Sequence, residues 1–298
     1  MKQMVDVETQ QKIKTSNDGA WVQKQKNNPI GIFDSGVGGL TVLKAVQNLL
    51  PNEQLIYVGD TARAPYGCKT KEQLLQYGKD IIEFLHHKNC KAIVMACGSS
   101  SSNTYTELCD LFPDVPLIDV IRPGVDACEA LYAKNPQTRF ALLATTATIR
   151  SGMFVKMLSD DKSSLTIHSR RCPMFASMIE SGQALIKDNP LLMYVAEQYI
   201  GDLKNKVDAV VLGCTHYPMI ADTIKKVLGD VTIINLSESA AQQLYHMLKR
   251  QHMFSTHDAP PKHEFYVSGD MDMFQKIAGE IMGIRCIPKT VTWESNKT

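Results

Sequence analysis

Two cysteines, Cys97 and Cys214, each end a short apolar run in the same manner. The first run is Lys91-Ala92-Ile93-Val94-Met95-Ala96-Cys97-Gly98-Ser99; the second is Asp208-Ala209-Val210-Val211-Leu212-Gly213-Cys214-Thr215-His216. They look like copies of one another. Each is apolar and partly β-branched, the pattern of a strand buried in a parallel sheet. Each halts at a small residue, a cysteine and a polar residue, where a loop is expected to begin. Ligands of open α/β sheets collect at the carboxyl ends of strands. Two thiols at equivalent strand ends therefore predict two half-sites facing one pocket. Such a pair suits one chemistry above others: a thiolate removes a proton from one face of a carbon, and a thiol returns one to the other face.

Other groups with chemical reach sit at neighbouring strand ends. Asp34 closes a strand over 29–33 and is placed to orient a thiol or take its proton. It opens the run Asp34-Ser35-Gly36-Val37-Gly38-Gly39. Backbone N–H groups at such a strand-to-helix junction favour a carboxylate or phosphate, although a tight turn alone uses the same residues. The run is not a dinucleotide fingerprint, because Leu40 and Thr41 follow Gly39 and the GxGxxG register fails. Pro65-Tyr66-Gly67 supplies a second loop at the same edge, with a phenol and a free backbone amide. His216, two residues beyond Cys214, is placed to tune that thiol; a histidine there also serves as a plain structural residue.

The elements that must hold these groups alternate. Strands are expected over 29–33, 54–58, 91–96, 117–120, 140–144, 208–212, 231–234 and 264–267, with a last one near Ile287. Helical patterns run from Leu40 to Leu50, over 71–87 and 104–111, from Pro123, over 154–158, 173–180 and 191–203, from Pro218 to Leu228, and over 240–249 and 271–282. The segments 145–151 and 255–262 read as loops. This alternation predicts parallel sheets covered by helices on both sides.

The chain has 298 residues, 44% of them hydrophobic and 21% charged, enough for two domains of ordinary size. With 32 basic and 31 acidic residues the net charge is +1, so no nucleic-acid footprint is present. No apolar run approaches the ~18 residues of a membrane span. Residues 1–28 are polar and lack the apolar core of a secretion signal. They read as a loosely attached extension with Trp21 and Val22 as anchor, and the protein as cytoplasmic. The eight cysteines form no CxxC pair and no Cys/His metal spacing, so free thiols and no bound metal are expected. Cys90, Cys109, Cys128 and Cys286 read as small buried hydrophobes.

From Ile30 to Ile287 the chain resembles the glutamate racemases of the aspartate/glutamate racemase superfamily. The resemblance rests on seven short motifs in order: GIFDSGVGGLTVL, YVGDTARAPYG, AIVMAC, TTATIRSGMF, CPMFASMIESG, VVLGCTHYP and FYVSGDMDMF. It implies two pseudo-symmetric α/β domains, each a mostly parallel sheet flanked by helices, with the active site in the cleft between them. The chain is expected to form one domain from 29–122 plus 236–298 and the other from 123–235. The resemblance also implies a cofactor-independent, two-base interconversion of L- and D-glutamate that supplies D-glutamate for peptidoglycan. Cys97 would act on D-glutamate with help from Asp34. Cys214 would act on L-glutamate with help from His216, itself backed by Glu180. Ser35, Pro65, Tyr66, Gly67, Gly98, Ser99, Thr148 and Thr215, with Asp34 and His216, would line the substrate site, and a homodimer is implied.

Two positions depart from the family pattern. Gly98-Ser99 stands where Asn-Thr usually follows the first cysteine, so a side-chain amide is missing. A lost hydrogen bond to a charged group costs on the order of 1.5–3 kcal/mol unless replaced; the serines at 100–102 are candidates to replace it, or the pocket differs in size. Asn235-Leu236 stands where an acidic residue is more usual. Two alternatives follow: a racemase of aspartate or another acidic amino acid, and a non-catalytic binding protein. Retention of both thiols, Asp34 and His216 weighs against the second.

Overall fold

The computed structural model describes residues 25–161, 165, 167–257, 259–280 and 282–293. Trp21, Val22 and most of the expected amino-terminal extension lie outside the described residues.

Buried apolar runs form the strands. In the first sheet these are β1 (Ile30–Asp34), β2 (Leu55–Gly59), β3 (Ala92–Met95), β4 (Leu117–Ile118), β9 (Glu264–Val267) and β10 (Lys289–Thr290), in the order β10-β9-β2-β1-β3-β4. In the second they are β5 (Phe140–Ala144), β6 (Ile167–Arg171), β7 (Ala209–Leu212) and β8 (Thr232–Asn235), in the order β6-β5-β7-β8. Every pairing is parallel. Without β9 and β10, the two sheets share one strand order, with β1 equivalent to β5 and β3 to β7. The equivalence extends to single hydrogen bonds. Ala96 N–H donates to the Phe33 carbonyl at 2.9 Å, and Gly213 N–H to the Leu143 carbonyl at 2.8 Å. Each cysteine thus follows a residue fixed in the same way to the strand beside it.

The helices are α1 (Leu40–Leu49), α2 (Lys71–His87), α3 (Gly98–Leu111), α4 (Ile121–Lys134), α5 (Thr146–Ser151), α6 (Met153–Asp161), α7 (Pro173–Glu180), α8 (Pro190–Ile200), α9 (Ala221–Leu228), α10 (Leu236–Arg250) and α11 (Met271–Glu280). The largest core runs between the sheets. It joins Ile32 and Val94 of the first to Leu142 and Val211 of the second through residues of α1, α4 and α10. Alternate strand residues point the other way, with Phe33 and Met95 packing under α2 and Leu143 and Leu212 under α7 to α9. Among the described residues, no helix is long and apolar enough to cross a membrane.

Four expectations need correction. No loop follows Cys97, because α3 begins at Gly98 and includes the serines before the expected start at 104. Serine is a modest helix former, but Ser99 to Ser102 are all buried here, and packing outweighs propensity. The expected loop at 145–151 contains α5, with the Thr145 side chain accepting from Thr148 N–H at its start. Strand β6 has no counterpart in the sequence reading: Ile167-His168-Ser169-Arg170-Arg171 is a half-exposed edge strand without an apolar signature. The last strand is Lys289–Thr290, and Ile287 is 87% exposed. Asn235, the second departure, caps α10 by accepting from Ser237 N–H at 3.1 Å, a task an acidic residue also performs.

Candidate active site

The carboxyl ends of β1, β3 and β7 meet the start of α5 around a cavity of about 90 Å³. Cys97 and Cys214 both line it, as do Ser35, Pro65, Tyr66, Gly67, Gly98, Ser99, Glu180, Thr215 and His216. Two expected residues do not. Asp34 is fully buried behind the wall, and Thr148 stands behind Thr145, whose hydroxyl donates to it at 3.1 Å. Thr145, Thr146, Pro173 and Ala176 line the cavity and were not foreseen. Their signal was present at 145, since a threonine just before a helix reads as an N-cap, but the segment itself read as loop.

The two thiols have unlike surroundings. Cys214 Sγ lies 3.6 Å from His216 Nδ1, and His216 Nε2 lies 2.6 Å from Glu180 Oε1. Burial by itself would push the imidazole down. Its hydrogen bonds to Cys214 and Glu180, and their negative charge, outweigh burial and hold it well above the ordinary histidine range. An imidazolium against a sulfur is the arrangement in which the thiolate does the chemistry. Cys97, at the N-cap position of α3, has no such partner. Burial pushes its thiol far up, and the negative charge of Asp34 adds to this, against the opposing pull of the Ser99 and Ser100 amides. The two thiols therefore face the cavity from unlike electrostatic settings.

Asp34 is raised by burial, against the pull of His216, the Ser35 amide and the Thr215 hydroxyl. Its Oδ2 accepts from Gly39 N–H at 2.6 Å and from Thr215 Oγ1 at 3.1 Å, so it touches both halves of the site. The glycine-rich run proves to be more than a turn. A Cβ on Gly36 would lie 2.0 Å from Glu180 Oε1, and one on Gly38 2.4 Å from His216 Nδ1. The glycines let the imidazole–carboxylate pair pack directly on the loop backbone. Two of the loop amides are also spoken for: Val37 N–H donates to Glu180 Oε1 at 3.0 Å and Gly39 N–H to Asp34. They hold the protein's own carboxylates where the sequence suggested a ligand's.

The Tyr66 hydroxyl is likewise engaged within the protein, donating to Asp60. Ser99 Oγ is 2.9 Å from Thr145 Oγ1, and Asn103 Nδ2 donates to the Ala147 carbonyl at 3.3 Å, so α3 is tied to α5 across the cavity mouth. Of the serine run only Ser99 reaches the cavity. Ser101 and Ser102 donate to the carbonyls of Met95 and Ser99, so they do not replace the missing amide.

Gly98 has a steric reason. A Cβ there would sit 2.6 Å from the Gly213 carbonyl oxygen, a backbone atom that cannot swing aside. The segments carrying the two thiols approach each other closely at this point, and any side chain would push them apart. Gly98→Asn, which forces a side chain against that carbonyl, is therefore expected to destabilise the fold by about 1–3 kcal/mol, the usual cost of overpacking. Denaturant unfolding of the variant checks this; unchanged stability would show that the gap at Gly98 is slack.

Among the described residues, no group of three or more His, Cys, Asp or Glu side chains is arranged to hold a metal ion. The family model for Asp/Glu/hydantoin racemases matches residues 38–244. The chain is 37% identical over 255 residues to a glutamate racemase of Oceanobacillus iheyensis, covering 85% of this chain and 90% of that protein. Its structure resembles the glutamate racemase of Francisella tularensis solved in complex with D-glutamate, with a TM-score of 0.82 at 32% identity, covering 90% of this chain and 99% of the other. It resembles a glutamate racemase isoform of Bacillus anthracis equally well, with a TM-score of 0.82 at 34% identity, covering 90% and 98% of the two chains.

Proposed function

The chain belongs to the Asp/Glu/hydantoin racemase family, and on that premise we propose that it interconverts L- and D-glutamate by a two-thiol, cofactor-independent reaction. One observation carries the reading: both thiols open on one cavity in opposite settings, Cys214 beside an imidazolium and Cys97 held as a thiol.

In the direction from L-glutamate, the Cys214 thiolate takes the α-proton and becomes a thiol. The electron pair left on Cα delocalises into the α-carboxylate as the carbon flattens. The Cys97 thiol then delivers its proton to the opposite face and is left as the thiolate. The reverse direction runs the same steps backwards. His216, held by Glu180, stabilises negative charge on Cys214; Asp34, beside Cys97, accepts or returns a proton there. Backbone N–H groups around the cavity, from Ser35, Gly67, Gly98, Ser99 and Thr215 with Thr145 added, hold the two substrate carboxylates and the charge that develops on the carbanion.

In this reading the first domain comprises 29–122 plus 236–298 and the second 123–235, which the shared strand order supports. The enzyme is a cytoplasmic homodimer whose D-glutamate enters peptidoglycan. The test is circular dichroism of L-glutamate, and separately L-aspartate, incubated with the purified protein. Decay of the glutamate signal to zero is expected. Decay with aspartate alone would move the protein to the sister activity, and no decay with either would leave a binding protein on a racemase fold.

A further inference from the structure

The segment that carries Pro65, Tyr66 and Gly67 to the cavity is gripped from behind by a carboxylate outside the cavity. Asp60 directly follows β2, is fully buried, and donates its N–H to the Asp34 carbonyl at 2.9 Å. Its side chain takes four donors. Oδ2 accepts from Arg63 Nε at 2.5 Å and from the Tyr66 hydroxyl; Oδ1 accepts from Ser268 Oγ and from the indole Nε1 of Trp293, each at 2.7 Å. Trp293 stands three residues beyond β10, near the carboxyl terminus, where Val291 N–H donating to the Val267 carbonyl guides the chain back. The indole has a second contact with the same segment. The Arg63 guanidinium carbon lies 4.8 Å from its ring centroid and 4.2 Å from that of Tyr77.

A buried carboxylate keeps its place only while its donors do. Here those donors join the substrate segment to the carboxy-terminal tail. Tyr66 shares a small apolar cluster with Leu74, Cys97 and Ala147, so its position sets the wall against which the Cys97 thiol sits. We propose that Trp293 is a positioning residue for this enzyme: through Asp60 it fixes Tyr66 and Gly67, and with them the substrate-binding wall beside Cys97. The inference rests on the racemase reading above.

Trp293→Phe tests it, because it removes the N–H donated to Asp60 while a smaller aromatic ring remains beside Arg63. KM for glutamate is expected to rise roughly five- to tenfold with kcat within about twofold, the pattern of lost uniform binding. Ser268→Ala, which removes another Asp60 donor, is expected to raise KM in the same way. The deciding measurement is Trp293→Phe in a Tyr66→Phe background. There the lever is already cut, so the second substitution is expected to leave KM unchanged. Additive effects would overturn the proposal. So would an unchanged KM in folded, active Trp293→Phe, or a parallel fall of kcat, KM and melting temperature, which marks packing alone. If the wild-type protein itself fails to racemise glutamate, the racemase reading fails first and takes this inference with it.

Discussion

Cys97→Ala and Cys214→Ala are each expected to lower racemisation by on the order of 10³- to 10⁴-fold, yet to fail differently. Both thiols are nearly buried, at 5% and 6% exposed, and both line the cavity. Removing either leaves one face of Cα without a proton carrier. In D₂O the remaining thiol still works on its own face. Cys97→Ala keeps Cys214 with His216 and Glu180, so L-glutamate is expected to exchange its α-proton with retention while D-glutamate stays inert. Cys214→Ala reverses the pattern. Circular dichroism reads racemisation, and proton NMR in D₂O reads exchange of each enantiomer. A variant that retains more than about a tenth of wild-type racemisation would remove that cysteine from the mechanism.

Glu180→Gln is expected to lower kcat/KM about 10²-fold and to pull the alkaline limb of the profile to lower pH. Glutamine still accepts from Val37 N–H, so the latch on the glycine-rich loop persists while the charge beside His216 is lost. The charge matters because burial opposes the imidazolium, and the hydrogen bonds and negative charge of Cys214 and Glu180 hold it well above the ordinary range. A histidine raised on folding contributes stability that is complete below its unfolded value near 6.5 and fades as pH climbs through the raised folded value. Wild-type protein should therefore lose this stability on the alkaline side, and the variant, which lacks the Glu180 charge, should lose it at lower pH. Keq for enantiomers in water is one, so kcat/KM must fall equally in both directions, although the two kcat values are free to diverge. A pH–rate profile in each direction checks this; an unmoved alkaline limb would sever Glu180 from the reaction.

The parts of the molecule that could be read in the sequence are those whose physics is local. Strands buried on both faces are continuous apolar runs, so β1, β3, β5 and β7, and with them both cysteines, stood out. So did Asp34 and His216, which adjoin those strands. Edge strand β6 carries no such signature, and its residues suggest no element in the sequence. The start of α3 was hidden because four serines argue against a helix until their burial is known. The misassigned contacts depend on partners that the local pattern does not reveal. The Tyr66 phenol looked free for substrate until Asp60 was seen to take it. The glycine-rich loop looked like a ligand's cradle until Glu180 and His216, far along the chain, were seen to occupy it. Gly98 looked like a deletion of function until the Gly213 carbonyl was seen pressed against it.

The burial of the two thiols also gives the proposed enzyme a memory. A turnover from L- to D-glutamate leaves the proton on Cys214 and the charge on Cys97, a form competent only for the reverse reaction. Before a second molecule of L-glutamate can react, that proton must return through His216, 3% exposed, or Asp34, fully buried. Between turnovers the protein therefore exists as two species that differ by the position of one hydrogen. At high substrate concentration the pace of net conversion is set by how fast the empty enzyme forgets which hand it last released.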